Sequence, residues 1–195
     1  MTRLLVATNN PGKQAEFRRL LAGVGAEIVT PDEIGLELVV EEPYDTYAEN
    51  AAAKADAFAR SSGLVSIADD SGIEVAALDW GPGVRSARWG QGRNAERLVE
   101  ALVGVTDRRA RMVCAIALAV PAEPAPEVEI FTGTVEGSVA PEPRGVGGFG
   151  YDPIFLLPSG KTTAELPEAE KDRISHRGRA VGAAIPRLVE VLAEA

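Results

Sequence analysis

The chain has 195 residues, which suits one domain or two closely joined lobes, and with 46% apolar residues it can bury a sizeable core. Its formal charge of −9 argues against a nucleic-acid-binding surface, because such a surface needs a basic face. The single cysteine, Cys114, and the single histidine, His176, exclude an internal disulfide and any zinc site of the CxxC or paired-histidine type. A catalytic metal would therefore need mainly oxygen ligands, which Mg²⁺ and Mn²⁺ accept.

The N-terminus carries no signal-peptide pattern, and no apolar run approaches the ~20 residues that a membrane helix needs, so we expect a cytoplasmic protein.

Strands and helices alternate at first and a long hairpin follows, which predicts an α/β fold with a mixed sheet. Pro186 predicts a kink or a restart in the last helix. In chain order, the predicted elements are a strand (Leu4–Thr8), a helix (Lys13–Leu21), a strand (Ala26–Thr30), a helix (Thr46–Ser61), a strand (Val65–Ala68), a helix (Asn94–Val103), three strands (Arg111–Val120, Val128–Val139, Ile154–Leu157) and a helix (Ala180–Ala195).

The first candidate site is the loop between the first strand and the first helix. Such loops expose backbone N–H groups at a helix N-terminus, where a phosphate is favoured. The loop is not a P-loop, because that pattern needs glycine in place of Ala7 and a hydroxyl residue in place of Gln14. An ordinary turn is the alternative. The candidate phosphate ligands are Thr8, Asn9, Asn10 and Lys13.

The second candidate comprises Glu41-Glu42 and the helix that follows. Thr46 to Glu49 matches a capping box, with Thr46 as the N-cap and Glu49 reaching back. Asn50 and Lys54 are four residues apart, so they share a helix face and could meet one ligand. A solvated helix surface is the alternative.

The third candidate is Asp69-Asp70-Ser71-Gly72, directly after a buried strand. Two carboxylates there are costly unless a positive charge neutralises them, and a divalent cation does so well. Glu42 could complete such a site, with a metal-bound or carboxylate-activated water as the nucleophile. An acidic turn with Asp70 as a cap is the alternative.

Two further segments combine glycine, an aromatic ring and hydrogen-bond donors. In Gly147–Pro153 the glycines around Phe149 would let a planar ring lie against the backbone, although a glycine-rich turn with a core phenylalanine is an alternative. Lys171 and Ser175–Gly178 supply donors, and Arg177 cannot lose its proton at ordinary pH. His176 could instead be a surface or capping histidine.

Together these segments resemble, in order and along nearly the whole chain, the inosine/xanthosine triphosphate pyrophosphatase family, which cleanses nucleotide pools. Each motif alone is weak evidence for the family, but several of them in the same order along the chain are specific to it. Tyr47 stands where many relatives carry phenylalanine, and Pro186 is less familiar in the last helix. The matching motifs are Thr8–Lys13, Glu42 with Thr46–Ala51 and Lys54-Ala55, Ala68–Gly72, Pro82–Arg88, Gly147–Pro153 and Ser175–Gly178.

The resemblance implies one pyrophosphatase domain over residues 1–195, with two lobes, a central mixed sheet flanked by helices, an active-site cleft between the lobes, and a homodimer. It implies Mg²⁺, or Mn²⁺, and a purine nucleoside triphosphate as substrate. The negative charge and the short apolar runs predict no nucleic-acid and no membrane partner. The resemblance implies that the phosphates are bound by Thr8, Asn9, Asn10, Lys13 and Lys54. It implies that Glu42 and Asp70 bind the metal, with Asp69 close by, and that Asp70 is also the base. For the purine, it implies stacking on Phe149 in the Phe149-Gly150-Tyr151 turn, contacts to the purine edge from Asp152, Lys171, His176 and Arg177, and Ser71 lining the site.

The implied reaction is attack of water on the α-phosphorus of ITP, dITP or XTP, which releases pyrophosphate. Donors such as Arg177 would be satisfied by the 6-oxo group of these purines and left facing an amino group by ATP, whereas GTP must be rejected at its 2-amino group. One alternative is a pyrophosphatase of the septum-inhibitor type that acts on modified pyrimidines. Another is a non-catalytic nucleotide sensor on the same fold.

Overall fold

In the computed structural model, which describes residues 2–194, seven strands and five α-helices form an α/β fold on one mixed sheet. This confirms the predicted fold class. The strands are β1 (Arg3–Val6), β2 (Glu27–Val29), β3 (Val65–Val75), β4 (Gly81–Pro82), β5 (Arg109–Val120), β6 (Glu127–Val139) and β7 (Phe155–Leu156), and the helices are α1 (Pro11–Leu20), α2 (Tyr47–Ser62), α3 (Asn94–Ala101), α4 (Glu168–Ile174) and α5 (His176–Glu194).

The strand order in the sheet is β2-β1-β3-β5-β6-β7, and β4 pairs with β3 beside this path. Strand β1 pairs in parallel with β2 and with β3. Strand β4 pairs antiparallel with β3, and β7 pairs antiparallel with β6. The predicted hairpin strands β5 and β6 are neighbours, so the early parallel strands and the later hairpin share one sheet.

The chain divides into two units. The first comprises the described residues up to Asp70, Cys114–Gly133 and the described residues from Ala180 onward. The second comprises Ser71–Val113 and Thr134–Arg179. Strands β3, β5 and β6 and helix α5 contribute residues to both units.

Two apolar clusters cover the two faces of the sheet in the first unit. Along β5, Cys114 and Ile116 pack with residues of α1 and α5, whereas Ala115 and Ala117 pack with residues of α2. This alternation is expected of a strand that is buried on both faces. Helices α1 and α5 therefore lie on one face and α2 on the other.

The second unit has its own apolar cluster, in which Ile73 of β3 and Val139 of β6 pack with Leu98 of α3 and Phe155 of β7. Tyr151, from the glycine-rich segment after β6, belongs to the same cluster. The cluster thus anchors the segment that carries the predicted aromatic platform.

Strand β3 is longer than predicted. The strand expected over Val65–Ala68 continues to Val75, so Asp69 and Asp70 lie inside it and do not form an acidic turn. Charged and polar partners from α1 and α2 meet both carboxylates, which allows them to be buried in a strand.

Helix α5 continues through Pro186 as one helix, so the prediction of a restart there is wrong, and a kink stays a prediction. Ala184, Leu188 and Val191 are buried on both sides of the proline. This packing of the apolar face outweighs the backbone hydrogen bond that proline removes. The predicted helix ended at Ala195, which lies outside the described residues.

Within residues 2–194, no helix combines the length and the apolar character that crossing a membrane requires.

Helix α2 begins as predicted. Thr46 is its N-cap, and the hydroxyl accepts a hydrogen bond from the backbone N–H of Glu49 at 3.2 Å. The Glu49 carboxylate reaches back and accepts from the same hydroxyl at 2.5 Å. The cap thus sets the start of the helix that presents Asn50 and Lys54.

Candidate active site

The loop after β1 is held by its own side chains. Asn10 is the N-cap of α1, and its side-chain oxygen accepts from the backbone N–H of Lys13 at 3.1 Å. The Thr8 hydroxyl accepts from the backbone N–H of Asn10 at 3.2 Å, while the Gln14 side chain donates to the Thr8 carbonyl at 2.9 Å. Pro11 opens the helix and Lys13 adds a positive charge to its first turn, so this N-terminus suits an anion.

Segment 36–42, which has no regular secondary structure, brings Glu42 to α2. Leu36, Leu38 and Val40, at every second position, pack against the apolar cluster that includes residues of α2. Glu42 is the next residue in this alternation, and its carboxylate forms an ion pair with Lys54. Glu41 is one residue out of phase and is exposed. Asn9 ties the loop after β1 to the segment by donating to one of its backbone carbonyls at 3.1 Å. Of the two glutamates singled out in the sequence, the structure therefore brings Glu42 to the site.

Asp69 and Asp70 are consecutive residues of β3, so their side chains point to opposite faces of the sheet. The Asp69 carboxylate lies 3.0 Å from the Lys13 ammonium group of α1, and its side chain is fully buried. On the other face, the side-chain amide of Asn50 on α2 donates to the Asp70 carboxylate at 3.1 Å. The first turns of two helices thus approach the two carboxylates.

The Asp70 carboxyl is buried, and burial raises its pKa above the ordinary value. The Lys54 ammonium opposes this rise in pKa, the Glu42 carboxylate adds to it, and Lys13 and the Asn50 hydrogen bond oppose it more weakly. Burial outweighs the two cations, so a further positive charge would stabilise the ionised form of Asp70.

These side chains form what we call the acidic group: three carboxylates and two ammonium groups, with a formal charge of −1. Among residues 2–194, no set of three or more carboxylate, thiol or imidazole groups lies close enough to hold a metal ion by itself. Mg²⁺ does not need such a set, because it keeps several waters and is commonly held by one or two carboxylates together with substrate phosphates. The residues therefore fit a Mg²⁺ ion that binds with its substrate. The members of the acidic group are Glu42, Asp69, Asp70, Lys13 and Lys54.

In the second unit, Asp152 ties the glycine-rich loop to α4. One carboxylate oxygen accepts from the backbone N–H of Phe149 at 2.7 Å and from the Lys171 ammonium group at 2.5 Å. The other oxygen accepts from the Thr163 hydroxyl at 2.8 Å. Gly148 has a φ of 69°, and a Cβ atom there would collide with the Asp152 side chain, so the loop closes in this way only with glycine.

Phe149 lies beside two cationic side chains. The Lys171 ammonium nitrogen is 5.4 Å and the Arg177 guanidinium carbon 5.8 Å from the centre of its ring. The ring is partly exposed, whereas Lys171 and Arg177 are buried. Arg177 also donates to the Ser71 hydroxyl at 2.9 Å. A partly exposed ring with buried donors beside it suits a flat, polar-edged ligand such as a nucleobase.

The junction of α4 and α5 sets the positions of His176 and Arg177, both of which are buried. Ser175 follows α4, and its hydroxyl accepts from the backbone N–H of Gly178 at 3.0 Å. A Cβ atom on Gly178 would collide with the carbonyl oxygen of Asp172. The glycine therefore lets the end of α4 and the first turn of α5 meet closely.

The remaining predicted site residues, Gly150 and Tyr151, differ in exposure. Gly150 is exposed and has a φ of 61°. Tyr151 is buried, and its hydroxyl donates to the carbonyl oxygen of Ser86 at 2.9 Å. Tyr151 thus anchors the loop that carries Phe149, and its contact with a substrate stays a prediction.

We expect Tyr151 to ionise late, because burial raises its pKa to about 12 despite the hydrogen bond to Ser86. A phenol with a raised pKa stabilises the fold below its ordinary pKa of about 10, and this contribution is lost as the pH rises through about 12. Ultraviolet titration should show a late tyrosinate step that coincides with alkaline unfolding. Tyr151→Phe should remove that step; a titration that completes near the ordinary value would contradict the burial argument.

The sequence did not reveal several contacts that position the site. Gln14 holds the loop after β1, Thr163 holds Asp152, and the Cys114 thiol contacts Asp69 at 3.9 Å. In the sequence, Gln14 served only to exclude a P-loop, and nothing there indicated its hydrogen bond to Thr8. The other two contacts join residues far apart in the chain, and no local pattern signals them.

An α/β fold with a helix N-terminus that suits an anion, together with carboxylates that suit Mg²⁺, is typical of proteins that bind phosphorylated ligands. The sequence model of the Ham1 family matches residues 4–187. The chain belongs to the Ham1 family.

Named relatives and solved structures cover nearly the whole chain. The dITP/XTP pyrophosphatase of Nitrosomonas europaea is 48% identical over 200 residues, which span 100% of this chain and 96% of that protein. The dITP/XTP pyrophosphatase of Gloeobacter violaceus is 52% identical over 186 residues, or 93% of this chain and 91% of that protein. A HAM1 protein from Coxiella burnetii superposes with a TM-score of 0.82 at 40% identity and covers all of both chains. The family resemblance inferred from the motifs is confirmed.

Proposed function

We propose that this chain hydrolyses non-standard purine nucleoside triphosphates, namely ITP, dITP and XTP, to the monophosphate and pyrophosphate. The two relatives named dITP/XTP pyrophosphatase support the substrate class. The observation that carries the reaction is the buried Asp70 carboxylate, which interacts electrostatically with Glu42, Lys54 and Lys13. Such a set can bind a triphosphate and activate a water beside it.

The triphosphate is proposed to bind at the N-terminus of α1. Thr8, Asn9 and Asn10 would contribute side-chain and backbone donors, and the helix dipole would favour the negative charge. Lys13 and Lys54 would act as point charges. Because Lys54 pairs with Glu42 in the free protein, substrate binding would exchange that partner for a phosphate oxygen.

Mg²⁺, or Mn²⁺ in its place, is proposed to bind to Glu42 and Asp70, with Asp69 close by. The raised pKa of Asp70 and the negative charge of the acidic group support this assignment. A bound ion would neutralise charge on the phosphates and lower the pKa of a coordinated water.

Asp70 is proposed as the base. Its carboxylate would take a proton from the water that attacks the α-phosphorus, and a raised pKa makes a carboxylate a stronger base. Lys13 and Lys54 would stabilise the charge that moves toward the leaving pyrophosphate. Cleavage at the α-phosphorus removes the β- and γ-phosphates together as pyrophosphate, so the product is a monophosphate that no polymerase could use.

The purine is proposed to stack on Phe149 with its edge facing Lys171, His176 and Arg177, while Ser71 lines the site. Inosine and xanthosine carry a 6-oxo acceptor for these donors, whereas adenine presents an amino group. A buried donor that loses its partner costs on the order of 1–3 kcal/mol, and more if it is charged. Asp152 would act at this edge through Lys171, which it holds at 2.5 Å. Guanine shares the 6-oxo group, so its exclusion must depend on the 2-amino group.

Pyrophosphate release from a panel of triphosphates tests the proposal. The panel comprises ITP, XTP, GTP, ATP and a modified pyrimidine triphosphate, each with Mg²⁺ and with EDTA. We expect fast, Mg²⁺-dependent release of pyrophosphate from ITP and XTP alone. A preference for the pyrimidine would favour a septum-inhibitor type of enzyme, and tight binding without turnover would favour a nucleotide sensor.

We expect Glu42→Gln to raise the Mg²⁺ concentration needed for half-maximal activity by at least about tenfold, because a metal ligand loses its charge. Glu41→Gln is the matched control, since Glu41 is exposed and is the adjacent residue of the same chemistry. Titration of activity with Mg²⁺ distinguishes the two variants. An equal response of both would remove Glu42 from the metal site.

The proposal extends to a cytoplasmic protein without nucleic-acid or membrane partners, and to a homodimer, which the family resemblance implies. The formal charge of −9 supports the lack of a nucleic-acid partner. Sedimentation velocity tests the dimer, and a monomer throughout the micromolar range would refute it.

A further inference from the structure

Asp69 connects two side chains on the face of the sheet that α1 covers. One of its carboxylate oxygens lies 3.0 Å from the Lys13 ammonium nitrogen, and the other accepts from the Cys114 thiol at 3.9 Å. The Asp69 side chain is 0% exposed and Cys114 is 0% exposed, whereas the Lys13 side chain is 16% exposed. The chain of contacts therefore runs from a buried thiol, through a buried carboxylate, to an ammonium group that reaches solvent.

The alternation of β3 separates Asp69 from the other carboxylates. Asp70 meets Asn50 of α2, and α2 also carries Lys54, the partner of Glu42. Asp69 faces the opposite side, where Cys114 belongs to the apolar cluster of α1 and α5. Two consecutive strand residues do not direct their side chains at one ion without a distortion of the strand.

Full burial also argues against a metal ligand. Mg²⁺ usually keeps several waters, and these need space that a side chain with 0% exposure does not offer. A buried carboxylate is instead stabilised by a cation and by hydrogen bonds, and Lys13 and Cys114 supply both.

We infer that Asp69 is the positioning residue of Lys13, and that the Cys114 thiol holds the Asp69 carboxylate in place. This inference rests on the proposed function, in which Lys13 binds the phosphates. A lysine side chain is long and flexible, so a fixed carboxylate beside it reduces the rotamer freedom that binding a phosphate would otherwise remove. Asp69 thus acts through Lys13, and Glu42 and Asp70 are left as the protein ligands of the metal.

The first test measures Asp69→Asn, Lys13→Met and the double variant. We expect Asp69→Asn to raise KM for ITP and the Kd for pyrophosphate in EDTA by about tenfold, with the Mg²⁺ requirement unchanged. In the Lys13→Met background, Asp69→Asn should add little, because its effect passes through the missing ammonium group. Additive effects, or a Mg²⁺ requirement raised as in Glu42→Gln, would overturn the inference.

The second test uses Cys114 and guards against a loss of folding in Asp69→Asn. Cys114→Ala removes the donor and should raise KM and the pyrophosphate Kd a few-fold, whereas Cys114→Ser keeps a donor and should restore both. Ile116→Val, on the same strand and in the same cluster, is the control for a loss of core volume and should change neither constant. Equal constants for Cys114→Ala and the wild type would overturn the inference.

The wild type in the same assays separates the two proposals. A wild type that binds pyrophosphate but releases none from ITP would refute the proposed function, while the binding constants of the variants would still test how Lys13 is positioned. An active wild type, together with additive effects of Asp69→Asn and Lys13→Met, would refute only the inference that Asp69 positions Lys13.

Discussion

Asp70→Asn should lower pyrophosphate release from ITP by about 10³-fold, and it should raise the melting temperature of the metal-free protein at neutral pH. The amide cannot take a proton from water, whereas its carbonyl oxygen can still accept the hydrogen bond from Asn50. Burial raises the pKa of Asp70, so the ionised carboxylate opposes folding. This penalty is absent below the ordinary carboxyl pKa and grows as the pH rises through the raised pKa.

Thermal unfolding in EDTA across a series of pH values measures the second effect. The gain in stability of Asp70→Asn over the wild type should vanish in acid, where the wild-type carboxyl is protonated. Asp107→Asn is the control, because Asp107 is only partly buried and the Arg109 guanidinium lowers its pKa to about 2. An active Asp70→Asn variant, or one less stable than the wild type in EDTA at neutral pH, would contradict the role assigned to Asp70.

Arg177→Met should reduce kcat/KM for ITP by about 100-fold and change kcat/KM for ATP little, so that most of the preference for ITP is lost. The guanidinium group is buried and donates a hydrogen bond to the Ser71 hydroxyl. It has therefore already lost its hydration in the free protein, and this cost does not arise again when the substrate binds. A 6-oxo purine would satisfy this donor and adenine would not, which makes the contact a source of selectivity.

The ratio of kcat/KM for ITP and ATP is the readout. Arg173→Met is the matched control, since Arg173 is an exposed arginine of the adjacent helix α4. An equal loss for both substrates would show that Arg177 binds a group common to them, such as the phosphates, and would remove it from base recognition.

Short-range patterns allowed much of the fold to be predicted. The Thr46 cap of α2 and the loop before α1 depend on residues within a few positions of each other. The mixed sheet followed from the order of strand and helix patterns, and the family motifs indicated the chemistry.

Long-range contacts explain what the sequence left out. The strand through Asp69 and Asp70 depends on Lys13 and Asn50, which lie far away in the chain and turn two costly carboxylates into paired ones. Glu42 was predicted for the metal site from the sequence, and the structure adds its ion pair with Lys54 of α2, which no local pattern signals. Likewise, the contacts that hold Asp152 come from residues on both sides of β7.

Hydrolysis of ITP in water enriched in ¹⁸O, with mass analysis of both products, tests the central claim most directly. Attack on the α-phosphorus forms the new bond there and breaks the bond to the bridging oxygen, which leaves with pyrophosphate. We therefore predict ¹⁸O in inosine monophosphate and none in pyrophosphate. Label in pyrophosphate, or labelled orthophosphate with inosine diphosphate, would contradict the assigned reaction.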